Sequence, residues 1–200
     1  MEIWDAYYRD ETLAGVDLIR GEEIPDGLYH IVCDVIVKHK DGDFLLMQRD
    51  SSKECYGGYF EATAGGSALK GEDKYACIKR ELFEETGIVS DNFREFVKFT
   101  FDKGHCFFYS FVCEVDCKKD SIVLQQGETM DYKWVSREDF KKFLKSDKVI
   151  PTQMNRFMVY YCDEDLYDLY GVINFFIFVK FFYYQLYLLD DFCINKIIRR

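Results

Sequence analysis

The chain predicts an α/β (α+β) sandwich built on a mixed sheet, not a doubly wound parallel one. Two observations carry this expectation. Strand-like segments outnumber helical ones, and the helical segments interrupt the strand series instead of alternating with it. The 200 residues are 48% hydrophobic and 31% charged. That composition suits one domain with a full core and excludes a disordered chain.

From the N-terminus, residues 2–8 and 13–19 flank the polar stretch Arg9-Asp10-Glu11-Thr12 and read as a hairpin. Residues 29–37 are β-branched and apolar. Asp41-Gly42 is a hairpin-type turn signal, with residues 44–48 as the return strand. A short strand is expected over 59–63, ended by Gly65-Gly66. Residues 72–86 have a helical pattern, and Gly87 fits the left-handed residue just past a helix. Residues 93–101 and 106–115 form another hairpin about Asp102-Lys103-Gly104. A strand over 130–135 precedes Ser136, the cap of a helix reaching about residue 145. Pro151 suits the first turn of a last core helix.

There is no internal repeat. These elements divide the chain into an N-terminal hairpin extension (1–27), a core domain (28–160) and an aromatic-rich tail (161–200). Within the tail, residues 172–189 are interrupted only by Asn174, Lys180 and Gln185. A lysine near the centre is costly in a bilayer. A buried or subunit-interface segment, as in a homodimer, is therefore expected over a membrane span.

The formal net charge is −10. An acidic chain gains nothing from counterion release, so nucleic-acid polymers are not expected partners. The start Met1-Glu2-Ile3-Trp4-Asp5 lacks the basic, apolar pattern of a signal peptide. The eight cysteines are therefore expected as reduced thiols in a cytoplasmic protein. No CxxC pair is present and the histidines lie far from any cysteine pair, so a structural zinc site is not expected.

The helix over 72–86 carries the chemistry. On a helical wheel Tyr75, Ile78 and Leu82, with Ala76 and Phe83 beside them, form an apolar arc expected to pack on the sheet. Glu81, Glu84 and Glu85 fall together on the other side, at i, i+3 and i+4. They repel one another, and they sit in the last turn, where the helix dipole disfavours anions. Arg80 offsets part of this through its i+4 pairing with Glu84. A divalent cation resolves the rest, and carboxylate oxygens suit Mg²⁺ or Mn²⁺. A solvated acidic face is the ordinary alternative for such a charge run.

The spacing separates these two readings. Gly66, Glu72, Arg80, Glu81, Leu82, Glu84, Glu85, Gly87 and Ile88 fit the pattern G-x5-E-x7-R-E-U-x-E-E-x-G-U, with U aliphatic, at every fixed position. The segment resembles the signature of the Nudix hydrolase family. A weaker likeness in strand order runs from about residue 28 to about residue 160. The resemblance implies a Nudix-type α/β/α sandwich. It also implies metal-dependent hydrolysis of a diphosphate linkage in a nucleoside-diphosphate-like small molecule, with Mg²⁺ or Mn²⁺ as cofactor.

Carried over residue by residue, Glu81, Glu84 and Glu85 become metal ligands. Glu81 is also the candidate for helping to deprotonate the attacking water. Arg80 orients the carboxylates, and with Glu81 and Glu84 it makes up the catalytic set. Glu72 is a structural or outer-shell carboxylate. The backbone at Gly65 and Gly66 can approach cation and diphosphate closely because no Cβ intervenes. Two residues outside the motif join as candidates. Arg49 would assist with the diphosphate. Glu128, in Gln126-Gly127-Glu128, would supply a further metal-binding carboxylate from a later loop, or stand as an exposed loop acid.

Two alternatives remain open. The layout is also similar to isopentenyl-diphosphate isomerase-like Nudix proteins. That chemistry needs a cysteine where this chain has Gly65; Cys55 lies too early, and only His30 matches an isomerase ligand. The domain is otherwise a non-catalytic ligand-binding module, although no signature carboxylate is lost. Trp4, Tyr7, Tyr8, Tyr56 and Tyr59 are candidates to stack on a substrate, and each also reads as plain core.

Overall fold

The computed structural model describes residues 1–150 together with Gln153, Arg156, Phe157 and Tyr160. The expected interface segment 172–189 lies outside the described residues. The strands are β1 (Ile3–Tyr8), β2 (Leu13–Ile19), β3 (Leu28–His39), β4 (Phe44–Arg49), β5 (Phe60–Ala62), β6 (Ala64–Ser67), β7 (Phe93–Phe101), β8 (Cys106–Val115) and β9 (Thr129–Val135). Helix α1 (Lys74–Thr86) follows β6, and α2 (Arg137–Leu144) follows β9. Gln153, Arg156, Phe157 and Tyr160 are helical.

The strands form one mixed sheet centred on β3. Strand β8 runs parallel to it from His30↔Cys106 to His39↔Val115. Strand β6 runs antiparallel to it from Val32↔Ser67 to Val35↔Ala64. The hairpin β1–β2 joins the same sheet through Tyr7↔Tyr29. The expected β7–β8 hairpin is present, turned by a 3-10 turn at Asp102–Gly104.

Alternation along β3 makes two cores. Cys33, Val35 and Val37 pack with Phe107, Tyr109 and Phe111 beneath Cys77, Ile78 and Leu82 of α1. On the opposite face Ile36, Phe44, Leu46 and Val112 meet Phe140 and Leu144 of α2, with Phe157 and Tyr160. Arg156 reaches into this second face. Its Nε and Nη2 lie 2.7 Å and 2.6 Å from Asp34 Oδ2, and its guanidinium stacks 4.6 Å from the Phe108 ring. The result is a helix–sheet–helix sandwich.

Three local expectations need correction. The Asp41-Gly42 turn forms, with Gly42 N–H donating to His39 C=O at 2.8 Å. Beyond it, however, β3 and β4 pair only at Lys38↔Phe44. The strands part because Thr63 stands between them. Its hydroxyl accepts from Val37 N–H at 3.1 Å and donates to Leu45 C=O at 2.8 Å. The side chain thus stands in for ladder bonds that the two strands cannot make with each other.

Thr63 has φ 46°, a left-handed kink that divides one extended stretch into β5, on β4, and β6, on β3. The glycine pair therefore does not end a strand. Gly65 and Gly66 lie within β6 opposite Asp34 and Cys33. A Cβ on Gly65 would come within 2.6 Å of Cys33 O, so this close pairing requires glycine. At the outer edge of β5, Phe60 forms a parallel bridge with Val149.

Helix α1 starts at Asp73, whose Oδ1 accepts from the N–H groups of Tyr75 (2.9 Å) and Ala76 (2.8 Å). It ends at Gly87, φ 73°, whose N–H donates to Phe83 O at 2.8 Å. The apolar arc is turned from its expected position. Tyr75 (42%) and Phe83 (56%) are exposed, as is Ala76. The buried stripe is Cys77, Ile78, Leu82, Glu85 and Thr86. Slender Cys77 can lie against β6, where its thiol contacts Gly66 O at 3.6 Å. That rotation carries Glu85 inward with the stripe and leaves Glu84 as the exposed member of the three.

Removing the Thr63 hydroxyl leaves two buried backbone groups without partners. Thr63→Val should therefore destabilise the fold by roughly 2–4 kcal/mol, and Thr63→Ser by much less. Urea unfolding midpoints of the two variants measure the difference.

Candidate active site

The backbone of β6 and the side chains of α1 meet edge-on. A Cβ built on Gly66 would overlap the carboxylate of Glu81. The missing side chain is thus the space that Glu81 occupies. One residue earlier, Gly65 N–H donates to Glu85 Oε1 at 3.3 Å. The glycine pair and the helix therefore form one unit, with two carboxylates laid against open backbone.

Arg80 gathers the remaining signature acids. Its Nε and Nη2 meet the two carboxylate oxygens of Glu72 at 2.8 Å and 3.0 Å, a forked pair. Nη1 donates to Glu81 at 2.7 Å and to Glu84 at 3.1 Å, the latter as the expected i+4 contact. Nη2 also donates to Ser67 O at 3.0 Å. Burial pushes the Glu72 carboxyl up, but the bonds from Arg80 and from Leu69 N–H outweigh it and leave Glu72 below the usual range. Burial raises Glu81, with Arg80 offsetting part of the shift.

Glu85 is the most strained of the acids electrostatically. It is 7% exposed. Burial first, then the charges of Glu61 and Glu81, push its carboxyl well above the usual range, opposed only by Gly65 N–H among the leading influences. Glu128, in the turn before β9, adds to the same repulsion. Its carboxylate is ion-paired with Lys53, and its carbonyl accepts from Asp50 N–H at 2.8 Å. Arg49, at the end of β4, donates from Nη1 to Glu61 at 3.0 Å and 3.3 Å and from Nε to Cys55 O at 3.3 Å. It lies within electrostatic reach of Glu85 and Glu128.

The sequence candidates therefore fall in two groups on either side of Glu85's surroundings, with Glu81, Gly65 and Glu128 the ones that act on it. Gly65, Gly66, Glu72, Arg80, Glu81 and Glu84 come from the turn and helix. Arg49 and Glu128 come from the β4 and β9 side. Among the described residues, no three acidic, histidine or cysteine side chains yet enclose a common point, because Glu81 and Glu84 turn toward Arg80. The donors nevertheless fit a hard divalent cation: oxygen ligands, partly buried, in mutual repulsion, beside glycine backbone.

Sequence reasoning misses Glu61 and Gln153. Glu61 is 9% exposed, and Gln153 Nε2 donates to it at 2.9 Å. The available signal was a charged residue in the middle of a strand with apolar neighbours.

The isomerase candidate His30 sits elsewhere. It lies on the sheet face away from α1, stacked on Trp4 with ring centroids 4.2 Å apart. Burial pushes its imidazole down to about 3, so it is neutral near pH 7. Of the aromatic candidates, Trp4 is core, whereas Tyr56 and Tyr59 form an edge-to-face pair at 5.5 Å with Tyr59 exposed.

A NUDIX-domain family model matches residues 28–153. The chain belongs to the Nudix hydrolase family. It is 32% identical over 151 residues to the uncharacterized Nudix hydrolase lmo0368 of Listeria monocytogenes, covering 76% of this chain and 89% of that one. To the uncharacterized Nudix hydrolase YfcD of Escherichia coli it is 28% identical over 114 residues, 56% of this chain and 62% of that one. Its fold is similar to the crystal structure of DR0079 from Deinococcus radiodurans, with TM-score 0.64, 15% identity, and 80% and 99% of the two chains covered. Nudix hydrolases generally act on nucleoside-diphosphate-linked substrates and use divalent metal ions. No helix among the described residues is long and apolar enough to cross a membrane.

Gly66→Ala should leave the fold intact, because the obstructing atoms are the end of a flexible side chain, but it should displace the Glu81 carboxylate. The expected result is near-native circular dichroism with activity lowered about tenfold or more. Glu85 gives a pH signature. Its folded carboxyl stands above the unfolded value, so its burial costs stability at neutral pH and that cost is relieved as pH falls toward 4.5. In EDTA, Glu85→Gln should melt higher than wild type at pH 7.5, with a smaller gap at pH 5.5.

Proposed function

We propose that this Nudix hydrolase cleaves the diphosphate linkage of a nucleoside-diphosphate-like small molecule with the aid of Mg²⁺ or Mn²⁺. The observation that carries the reading is Glu85, buried against Glu61, Glu81 and Glu128 beside bare glycine backbone. A fold keeps such repulsion when a cation is meant to relieve it.

In this reading Glu81, Glu84 and Glu85 hold the ion from α1, and Glu128 joins them from the β9 side. When bound, the cation supplies charge neutralisation on the phosphate oxygens and acidifies water. Arg80, anchored by Glu72, fixes where Glu81 and Glu84 point. Arg49 presents its guanidinium to the diphosphate. Water attacks one phosphorus, the bridging P–O bond breaks, and Glu81 takes the water's proton. Burial keeps that carboxyl above its ordinary value, which brings it nearer to a working base at neutral pH.

A panel of nucleoside diphosphate derivatives, incubated with Mg²⁺ or Mn²⁺ and read by ³¹P NMR, tests the proposal. Phosphate-bearing cleavage products are expected, carrying ¹⁸O when the reaction is run in labelled water. Glu84→Gln should lower kcat by about a hundredfold. Binding without turnover on the whole panel would make the domain a ligand-binding module. Migration of the double bond in isopentenyl diphosphate would assign the isomerase chemistry instead.

A further inference from the structure

The strand before the glycine pair carries an acid that lies outside the signature. Glu61 is the central residue of β5 and opposes Met47 of β4. By strand alternation it faces the α1 side of the sheet, while its neighbours Phe60 and Ala62 face the other core. A buried carboxylate must find partners or be lost as a charge. Among the described residues Glu61 accepts three hydrogen bonds. Arg49 Nη1 donates to Oε1 at 3.0 Å and to Oε2 at 3.3 Å, and Gln153 Nε2 donates to Oε2 at 2.9 Å.

Gln153 is itself held at both ends. Its Oε1 accepts from Ala62 N–H at 3.1 Å. The amide cannot flip without setting two oxygens against each other and two N–H groups against each other. It reaches around the outer edge of β5, next to the Phe60↔Val149 bridge. The orientation of the Glu61 carboxylate is therefore fixed by backbone through Gln153.

Arg49 is the group that this fixing acts on. Nη1 is taken by Glu61 and Nε by Cys55 O. Among the described residues Nη2 carries none of the guanidinium's hydrogen bonds. A planar guanidinium clamped along one side presents its remaining N–H groups in a set direction. Glu85 and Glu128 are the other acids within its electrostatic reach.

We propose that Glu61, locked by Gln153, is a positioning residue that holds Arg49 with Nη2 presented to the substrate's diphosphate. The inference rests on the diphosphate-hydrolase reading. It assigns Glu61 no place among the metal ligands, and it makes Gln153, from beyond α2, a working part of the substrate site.

The test is a double-mutant cycle read in KM, kcat, the Kd of Mn²⁺, and the Kd of a methylene-bridged nucleoside diphosphate that cannot be hydrolysed. Glu61→Gln should raise KM and the analogue Kd about tenfold and change kcat by less than about twofold; because it also removes a charge beside Glu85, the Mn²⁺ Kd is read on Gln153→Met, which keeps that charge and should change it by less than about twofold. In an Arg49→Gln background the same change should add little, because the residue it positions is gone.

Gln153→Met keeps the volume but removes both hydrogen bonds. It should raise the analogue Kd about threefold in wild type and leave it unchanged in Arg49→Gln. This variant also carries the test if Glu61→Gln does not fold. Additive effects, a weakened Mn²⁺ site in Gln153→Met, or a fall in kcat at constant KM would overturn the proposal. Failure of the hydrolase reading would show separately, as wild type binding the analogue without turning over the panel. Wild type binding no analogue at all would overturn both.

Discussion

One guanidinium makes this turn possible. Glu72, Glu81 and Glu84 would repel one another if left alone, and Arg80 touches all of them. Its fork on Glu72 also ties the start of the helix to a point two turns along it, and its bond to Ser67 O ties the helix to β6. The charge balance is local and incomplete. Glu81 is held by Arg80, Glu72 is kept below the usual carboxylate range, and Glu85 faces inward with no arginine bonded to it among the described residues. That inequality is what gives the site a direction.

Much of this was legible because it depends on fixed spacing. Gly87 ends α1 through a hydrogen bond that a helix needs at its C-terminus, so the glycine foretells that end; the cap at Asp73 places the start two residues after the expected one. The β7–β8 hairpin and the Ser136 cap follow from equally local chemistry. Helical spacing also foretold the i+4 contact of Arg80 with Glu84, but not that Glu85 turns inward with the buried stripe while Glu81 and Glu84 turn to Arg80.

What escaped depends on partners distant in sequence. Thr63 reads as the end of a strand, yet it separates β3 from β4 because Val37 and Leu45 lie on either side of it. The helix wheel gave the right periodicity but the wrong phase. Tyr75 and Phe83 outrank Cys77 in bulk, and only the close approach of β6 favours the smaller residue. Glu61 and Gln153 are 92 residues apart. A charged residue among apolar neighbours hinted at Glu61, but its pairing with Gln153 had no local pattern to expose it.

Val149 and Gln153 have a second consequence, apart from chemistry. Strand β5 is short, and among the described residues it has no neighbouring strand on one side in the sheet. An edge of that kind offers unpaired amides to any extended chain that drifts past. Here Val149 bridges Phe60 and the Gln153 side chain takes the Ala62 amide. The molecule thereby blunts its own seed for intermolecular strand addition, and damage at this corner would show first as loss of solubility in a chain that still has every acid in place.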